Sequence, residues 1–407
     1  MKTMRIKFRH LIAPTGEGNS NGEMIVENGQ IREVLSSPLE SFEGETLDLS
    51  DCLVLPGFIN LHCHLSLSAL KNRVPKTQSM VDWIKSILVL NASLSLPERI
   101  KMLRSGLDTQ LRSGVTTVAD FLSMPELLGE YAAFPLRLAV FLEVFGFNGK
   151  EAPAIAEKIK SNLAEFCFER PLFSVGLAPH APYTVSPPLF KKLREIADAS
   201  GLSFSCHVSE FDEEEKFIRE GRGEIRKLLQ DRGMLDAAWK PFGESSCRYL
   251  DSMGVLDSMI AVHLNFLEGD LDLLASKKVA GAFCPGSARW FGRTKWMPVR
   301  QMLDRNILVG IGTDSLASND SLNFFRELRI TEEMLPEVSR REILDMATRQ
   351  GAEALNLKTG VMGPGFSADL IALRVDEDPA NWLDPVFDPQ RQEVDLAMVE
   401  GEVVFQQ

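Results

Sequence analysis

Apolar and polar positions alternate between two periods along the middle of the chain. Eight β-prone runs, 53–61, 115–121, 136–145, 173–179, 202–207, 259–264, 279–284 and 308–313, are almost continuously apolar, as strands buried on both faces are. Between them lie stretches with helical spacing: 97–113, 187–200, 212–230, 268–277, 296–305 and 320–333. PPLFKKLREIADASG shows the pattern, with Pro187 near its start, an apolar stripe, and Gly201 just past its end. Strand–helix alternation repeated eight times predicts an α/β fold, a (β/α)8 barrel of TIM type. The segment 65–96 is long and holds Trp83, so it is expected to cover the barrel mouth as a lid.

The two ends carry a different pattern. IVENGQIREVL reads as a hairpin, with Asn28-Gly29 as the turn signal. MGPGFSADLIALRV and VDLAMVEGEVVF are also β-type runs, with Glu400-Gly401 at a turn. Similar ends around a different middle predict a small composite β-sandwich domain from residues 1–52 and 358–407. The barrel is then expected over 53–357.

Composition narrows the class. Of 407 residues, 44% are hydrophobic and 25% charged, the balance of an ordinary soluble domain. No apolar run spans a bilayer, and MKTMRIKFRHLIAP lacks the apolar stretch of a signal peptide, so a cytoplasmic location is expected. The net charge of −13 argues against nucleic acid, which needs a basic face. The acidic runs Glu213-Glu214-Glu215 and Asp376-Glu377-Asp378 read as solvated surface. Six cysteines (52, 63, 167, 206, 247 and 284) show no CxxC, so neither a zinc ribbon nor a disulfide framework is expected.

The chemistry lies in the histidines. There are six, and five sit at ends of predicted barrel strands: His62 and His64 in LPGFINLHCHLSLSAL, His180 in GLAPHAPYTVS, His207 in SFSCHVSE and His263 in MIAVHLNF. Asp314 ends the eighth run in VGIGTDSLASN. Only His10 lies outside the pattern. A single strand histidine is more often a packed residue than a ligand, so the argument rests on the coincidence of all six groups at one barrel mouth. His62 and His64 are two apart on a strand and share a face. Three imidazoles and a carboxylate suit Zn²⁺, and also Fe²⁺ or Mn²⁺. Glu210, three residues after His207, is near enough to shuttle protons; its alternative is an acidic residue at the start of a helix.

PGFINLHCH, HVSE and GTDSLASN resemble the amidohydrolase superfamily, and within it the mononuclear aminohydrolases and chlorohydrolases of nitrogen heterocycles. The resemblance runs over nearly the whole chain. It implies His62, His64, His207 and Asp314 as ligands of one divalent ion, with zinc first and iron or manganese as alternatives. It implies Glu210 as acid–base catalyst and His263 as the group holding the attacking water. Asp314 would serve both as ligand and as proton acceptor. A binuclear site would add a lysine at strand four, where this chain has His180. His180 then resembles the substrate-binding histidine of adenosine-type deaminases, beside a structural reading as a turn residue before Pro182.

The resemblance also bears on substrate. PHAPYTVS is similar to 5′-methylthioadenosine and S-adenosylhomocysteine deaminases. HLSLSALKNRVPKTQSMVDWI with Trp83, FLEVFG with Glu143, and SEFDEEEKFIREGRGEIRKLL resemble the aminodeoxyfutalosine deaminases of menaquinone biosynthesis. A stretch that reads CPxSN in the family is Cys284-Pro285-Gly286-Ser287-Ala288 here, so a contact from that asparagine is missing. A benzoate substrate would need a cation, for which Arg289, Arg293 and Arg73 are the candidates, in that order. The expected activity is hydrolytic deamination of a 6-aminopurine nucleoside, aminodeoxyfutalosine first. Methylthioadenosine or S-adenosylhomocysteine is the alternative. Guanine, pterin or triazine amino- or chlorohydrolysis, and a non-catalytic scaffold, stay further off. The expected partner is a small heterocyclic amine, with neither nucleic acid nor membrane, and a homodimer is left open.

Overall fold

The computed structural model describes residues 2–13, 18–37, 39–165 and 172–407. Eight parallel strands follow one another in space in the order four, three, two, one, eight, seven, six, five. In chain order they are Phe58–Cys63, Val115–Leu122, Arg137–Val144, Phe173–Pro179, Ser205–Val208, Ile260–His263, Ala280–Phe283 and Val309–Ile311. A parallel bridge between Leu177 and Phe204 joins the fourth strand to the start of the fifth and closes the ring. Ile59, Leu61, Ala119, Phe121, Phe141, Val262 and Ala282 fill the interior. A larger core lies between the strands and the surrounding helices, among them Leu96–Arg112, Pro187–Ser200 and Phe324–Met334. All eight predicted strand runs are present, and the fold is the expected (β/α)8 barrel.

The first strand begins later than its apolar run suggested. Residues 53–56 belong to a long strand, Glu45–Pro56, that pairs within the terminal sheet. Proline 56 has no amide to donate to a barrel ladder. Gly57 then passes so close to Thr116 that a Cβ would lie 2.1 Å from its hydroxyl oxygen. The Pro-Gly pair is thus the junction between the two sheets.

The terminal sheet is one continuous array of seven strands, five from 3–56 and 370–374 and two from 396–406. The strand Glu45–Pro56 shows how it attaches. Cys52 and Val54 pack in the sheet's own core with Phe8, Met24 and Leu370, while Leu53 and Leu55 join the main core. Both turns read from sequence are present. Asn28 and Gly29 take φ of 50° and 80°, and Glu400 and Gly401 take 50° and 74°, the left-handed pair a two-residue hairpin turn requires.

The segment after the first strand holds a 3-10 turn, Leu65–Leu70, and a helix, Met80–Ala92. Met80, Val81 and Trp83 of that helix pack with Tyr183, Phe211, Phe217, Trp290 and Phe291 in a second apolar cluster. No helix among the described residues is long and apolar enough to cross a membrane. Five cysteines are buried free thiols, and Cys167 lies outside the described residues.

Candidate active site

The C-terminal ends of strands one, five, six and eight bring their polar side chains together. His62, His64 and His207 each offer a ring nitrogen within 4.8 Å of the others. His62 Nε2 lies 3.8 Å from Asp314 Oδ1. The eighth strand can approach the first this closely because it carries Gly312, where a Cβ would stand 2.8 Å from the His62 carbonyl. Asp314 N donates to that same carbonyl at 3.1 Å. Three residues at these strand ends, Ser209, His263 and Asp314, take φ of 51°, 75° and 56°. Strained backbone of this kind persists where the surroundings hold it, and here it turns side chains over the mouth.

Hydrogen bonding decides the state of these imidazoles. His207 Nδ1 donates to the His180 carbonyl at 2.8 Å, which leaves Nε2 with its lone pair. That Nε2 faces His64 Nε2 at 3.1 Å. Both nitrogens of His62 are buried with no hydrogen-bond partner. Burial pulls His62 well below the usual imidazole range, takes His64 to about 4 and His207 to about 3, so all three are neutral at pH 7. Neutral, buried imidazoles with converging lone pairs, beside a carboxylate, fit a divalent cation. Asp314 is itself fixed by the Ser287 hydroxyl at 2.6 Å on Oδ2 and the Ser315 amide at 2.7 Å on Oδ1.

Glu210 and His263 complete this side. Glu210 Oε1 lies 3.7 Å from His263 Nε2, and both are buried. Burial pushes the Glu210 carboxyl well above its usual range, and the Arg293 guanidinium opposes that shift. Across the mouth, Glu143 Oε1 stands 4.0 Å from both His64 Nδ1 and His180 Nε2. It is buried without a hydrogen-bond partner, and burial raises the group to about 8. His180 Nδ1 meets Thr184 Oγ1 at 2.7 Å, and its ring stacks on Phe145, 43% exposed, at 4.5 Å. Glu143, His180 and His207 form a second triple within 4.8 Å. His207 has one free nitrogen, which both triples need, so the two triples cannot each hold an ion through it at the same time.

The three arginines part company. Arg73 pairs with Glu98 at 2.6 Å and Arg289 with Glu333 at 2.6 Å, each guanidinium on the exposed surface. The structure does not bring these two to the site. Arg293 Nη2 is buried and has no hydrogen-bond partner. Its guanidinium lies over Phe291 at 4.8 Å and Phe211 at 5.6 Å, close enough to Glu210 and His263 to shift both. Trp83 donates Nε1–H to the Ala317 carbonyl at 2.9 Å and meets Phe291 edge-on at 5.5 Å, tying the helix Met80–Ala92 to the loop after strand eight.

The acidic run after strand five corrects the surface reading. Glu214 and Glu215 are buried, because their carboxylates serve the preceding turn and the Ser246 amide. Asp120, at the end of strand two, was also missed. Its carboxylate accepts the Leu65 amide at 2.6 Å and the Tyr131 hydroxyl at 2.5 Å, and so fixes the chain leaving His64. VTTVADFL carries the same signature as the histidine strands, an apolar run with a polar residue near its end, and could have revealed it.

Residues 53–404 match the amidohydrolase family. The chain belongs to that family. A 5-methylthioadenosine/S-adenosylhomocysteine deaminase of Pyrococcus furiosus is 28% identical over 404 residues, covering 94% of this chain and 90% of the relative. Among solved structures, aminofutalosine deaminase of Helicobacter pylori, in complex with methylthio-coformycin, superposes with a TM-score of 0.86 over 100% of both chains at 23% identity. An adenosine deaminase from Xanthomonas campestris with bound zinc gives 0.82 at 22% identity, over 99% of this chain and 93% of its own. At these identities the two structures establish the shared barrel fold.

Proposed function

We propose that this amidohydrolase is a hydrolytic deaminase of an adenosine-like nucleoside. The observation that carries the reading is the meeting of three neutral imidazoles, Asp314, Glu210 and His263 at one barrel mouth. His62, His64, His207 and Asp314 would hold one divalent ion, with zinc first and iron or manganese as alternatives. When bound, such an ion makes water a usable nucleophile at neutral pH.

The protein's own groups supply the rest. Glu210 accepts a proton from the attacking water and delivers it to the ring nitrogen beside the amino-bearing carbon, for which a raised carboxyl is suited. His263 orients that water from the Glu210 side, and Asp314, steadied by Ser287 and Ser315, accepts its second proton. Asp314 passes that proton to the amino group, ammonia leaves and a ring carbonyl remains. His180 and Glu143 face the substrate from strands three and four, with Phe145 stacked on His180 as the exposed apolar surface beside them.

Arg293 supports a choice among such nucleosides. A guanidinium over Phe211 and Phe291 whose Nη2 is buried without a partner suits a substrate with an aryl or alkyl tail ending in a carboxylate. Aminodeoxyfutalosine stands first, with its benzoate. S-Adenosylhomocysteine also carries a carboxylate, and methylthioadenosine carries none. The relatives named for these substrates support the same class. An ammonia-release screen over these three, adenosine, guanine and pterins tests the reading, alongside elemental analysis. Deamination of an aminopurine nucleoside with about one ion per chain is expected. Absence of turnover on every nucleoside by the metal-loaded protein would overturn it.

A further inference from the structure

We propose that Glu214 is a positioning residue that holds the acid–base carboxylate of Glu210 over the barrel mouth. The proposal rests on the reading of Glu210 given above. Helix Asp212–Glu220 opens with four acidic residues, whose ordinary place is in water near the helix N-terminus. Glu214 is instead fully buried, and it caps no amide of its own helix. Its Oε1 accepts the Ser209 amide at 2.9 Å and its Oε2 the Glu210 amide at 3.1 Å. One carboxylate therefore grips two consecutive amides of the turn that carries Glu210.

That turn needs a grip. Ser209 takes φ of 51°, a left-handed conformation that is unfavourable for a non-glycine residue. The bend redirects the chain at the end of strand five, so that Glu210 meets His263 rather than following the strand outward. The remaining backbone tethers act on carbonyls. Asn265 Nδ2 donates to Glu210 O at 3.1 Å, and Phe266 N to Ser209 O at 3.0 Å. Among the described residues, Glu214 alone fixes the amide side. Glu215 is an internal control: it is buried on the same helix turn, but accepts the Ser209 hydroxyl at 2.7 Å and the Ser246 amide at 3.3 Å and does not touch the Glu210 amide. A buried carboxylate is expensive unless its hydrogen bonds are worth having, and those of Glu214 converge on the catalytic turn.

The test is a double-mutant cycle on metal-loaded enzyme. In Glu214→Gln an amide nitrogen replaces one acceptor and confronts a backbone N–H, so the turn shifts. Displacements of about an ångström cost on the order of 10²-fold in rate, and a kcat loss of roughly 10- to 100-fold is expected. KM should stay within about 3-fold and metal content should not change, because neither substrate nor ion touches Glu214. Glu215→Gln should keep kcat within about 3-fold. Glu214→Gln added to Glu210→Gln should cost nothing further, since a residue acting through Glu210 has nothing left to position. Multiplying losses in the double variant, a loss confined to KM, or an equal kcat loss in Glu215→Gln would each overturn the proposal. Should Glu214→Gln fail to fold, Glu214→Asp, one methylene too short to span both amides, enters the same cycle, and wild-type kcat there overturns it. Full activity in Glu210→Gln alone would instead remove the acid–base reading beneath it.

Discussion

Replacing Arg293 by methionine separates substrate recognition from chemistry. Methionine keeps an unbranched apolar stem between Phe211 and Phe291, so little packing is lost. What disappears is a guanidinium whose Nη2 is already desolvated and unpaired. Because that desolvation cost is met in the free enzyme, a substrate carboxylate gains most of the contact. A charge-assisted hydrogen bond is worth about 1.5–3 kcal/mol, or roughly 10- to 150-fold in kcat/KM. The loss should fall on aminodeoxyfutalosine and, if its tail reaches, on S-adenosylhomocysteine; methylthioadenosine should be nearly unaffected. Arg293 also holds Glu210 down, so the assay belongs on the pH plateau, with the substrates measured in parallel by ammonia release. Equal losses on the carboxylate-bearing and carboxylate-free substrates would refute the anchor, as would a wild-type enzyme preferring methylthioadenosine outright.

Other outcomes follow from the same geometry. His207→Ala should lose the ion and all turnover, whereas Glu210→Gln should keep the ion and lose at least ~10²-fold in kcat, with metal content read by elemental analysis. The acid limb of kcat/KM reports the ionisation of Glu210, which burial raises; activity therefore rises with pH through a value well above the usual carboxylate range. Arg293→Met removes the cation opposing that shift, so its acid limb should move to higher pH, and a limb moving down would contradict the placement. Arg73→Ala and Arg289→Ala remove exposed ion pairs worth about 0–1 kcal/mol, so stability and kcat/KM should change little on any substrate.

Most of the frame was legible in the sequence because barrel strands are buried on both faces and leave continuous apolar runs. Each such run also aims the polar residue at its end into the mouth, which is why five histidines and Asp314 could be placed together before any contact was known. The limits have physical causes. LVLPGFIN reads as one apolar run, and the change of sheet at Pro56-Gly57 depends on the close approach of Thr116 from a strand sixty residues on. Arg289 and Arg293 are four apart, the first in the short helix Pro285–Trp290 and the second in the loop that follows it. Glu333 draws the first to the surface, while Phe211 and Phe291 hold the second over the site, and neither partner is visible from local spacing.

The acidic stretch after His207 shows most clearly where pattern reading stops. Asp212 through Glu215 has the composition of a solvated helix start, and by periodicity alone that is the sound reading. Burial of Glu214 and Glu215 follows from donors outside the helix: the Ser209 and Glu210 amides behind it and the Ser246 amide thirty residues ahead. The Ser209 and Glu210 amides meet Glu214 where Ser209 bends left-handed, the bend by which Glu210 faces His263, while the Ser246 amide is free because it opens the helix Ser246–Ser252. The misread surface charge and the strained turn are thus two consequences of one requirement, the aim of a single carboxylate. Where a residue type contradicts its local pattern inside a barrel loop, the contradiction points toward the chemistry.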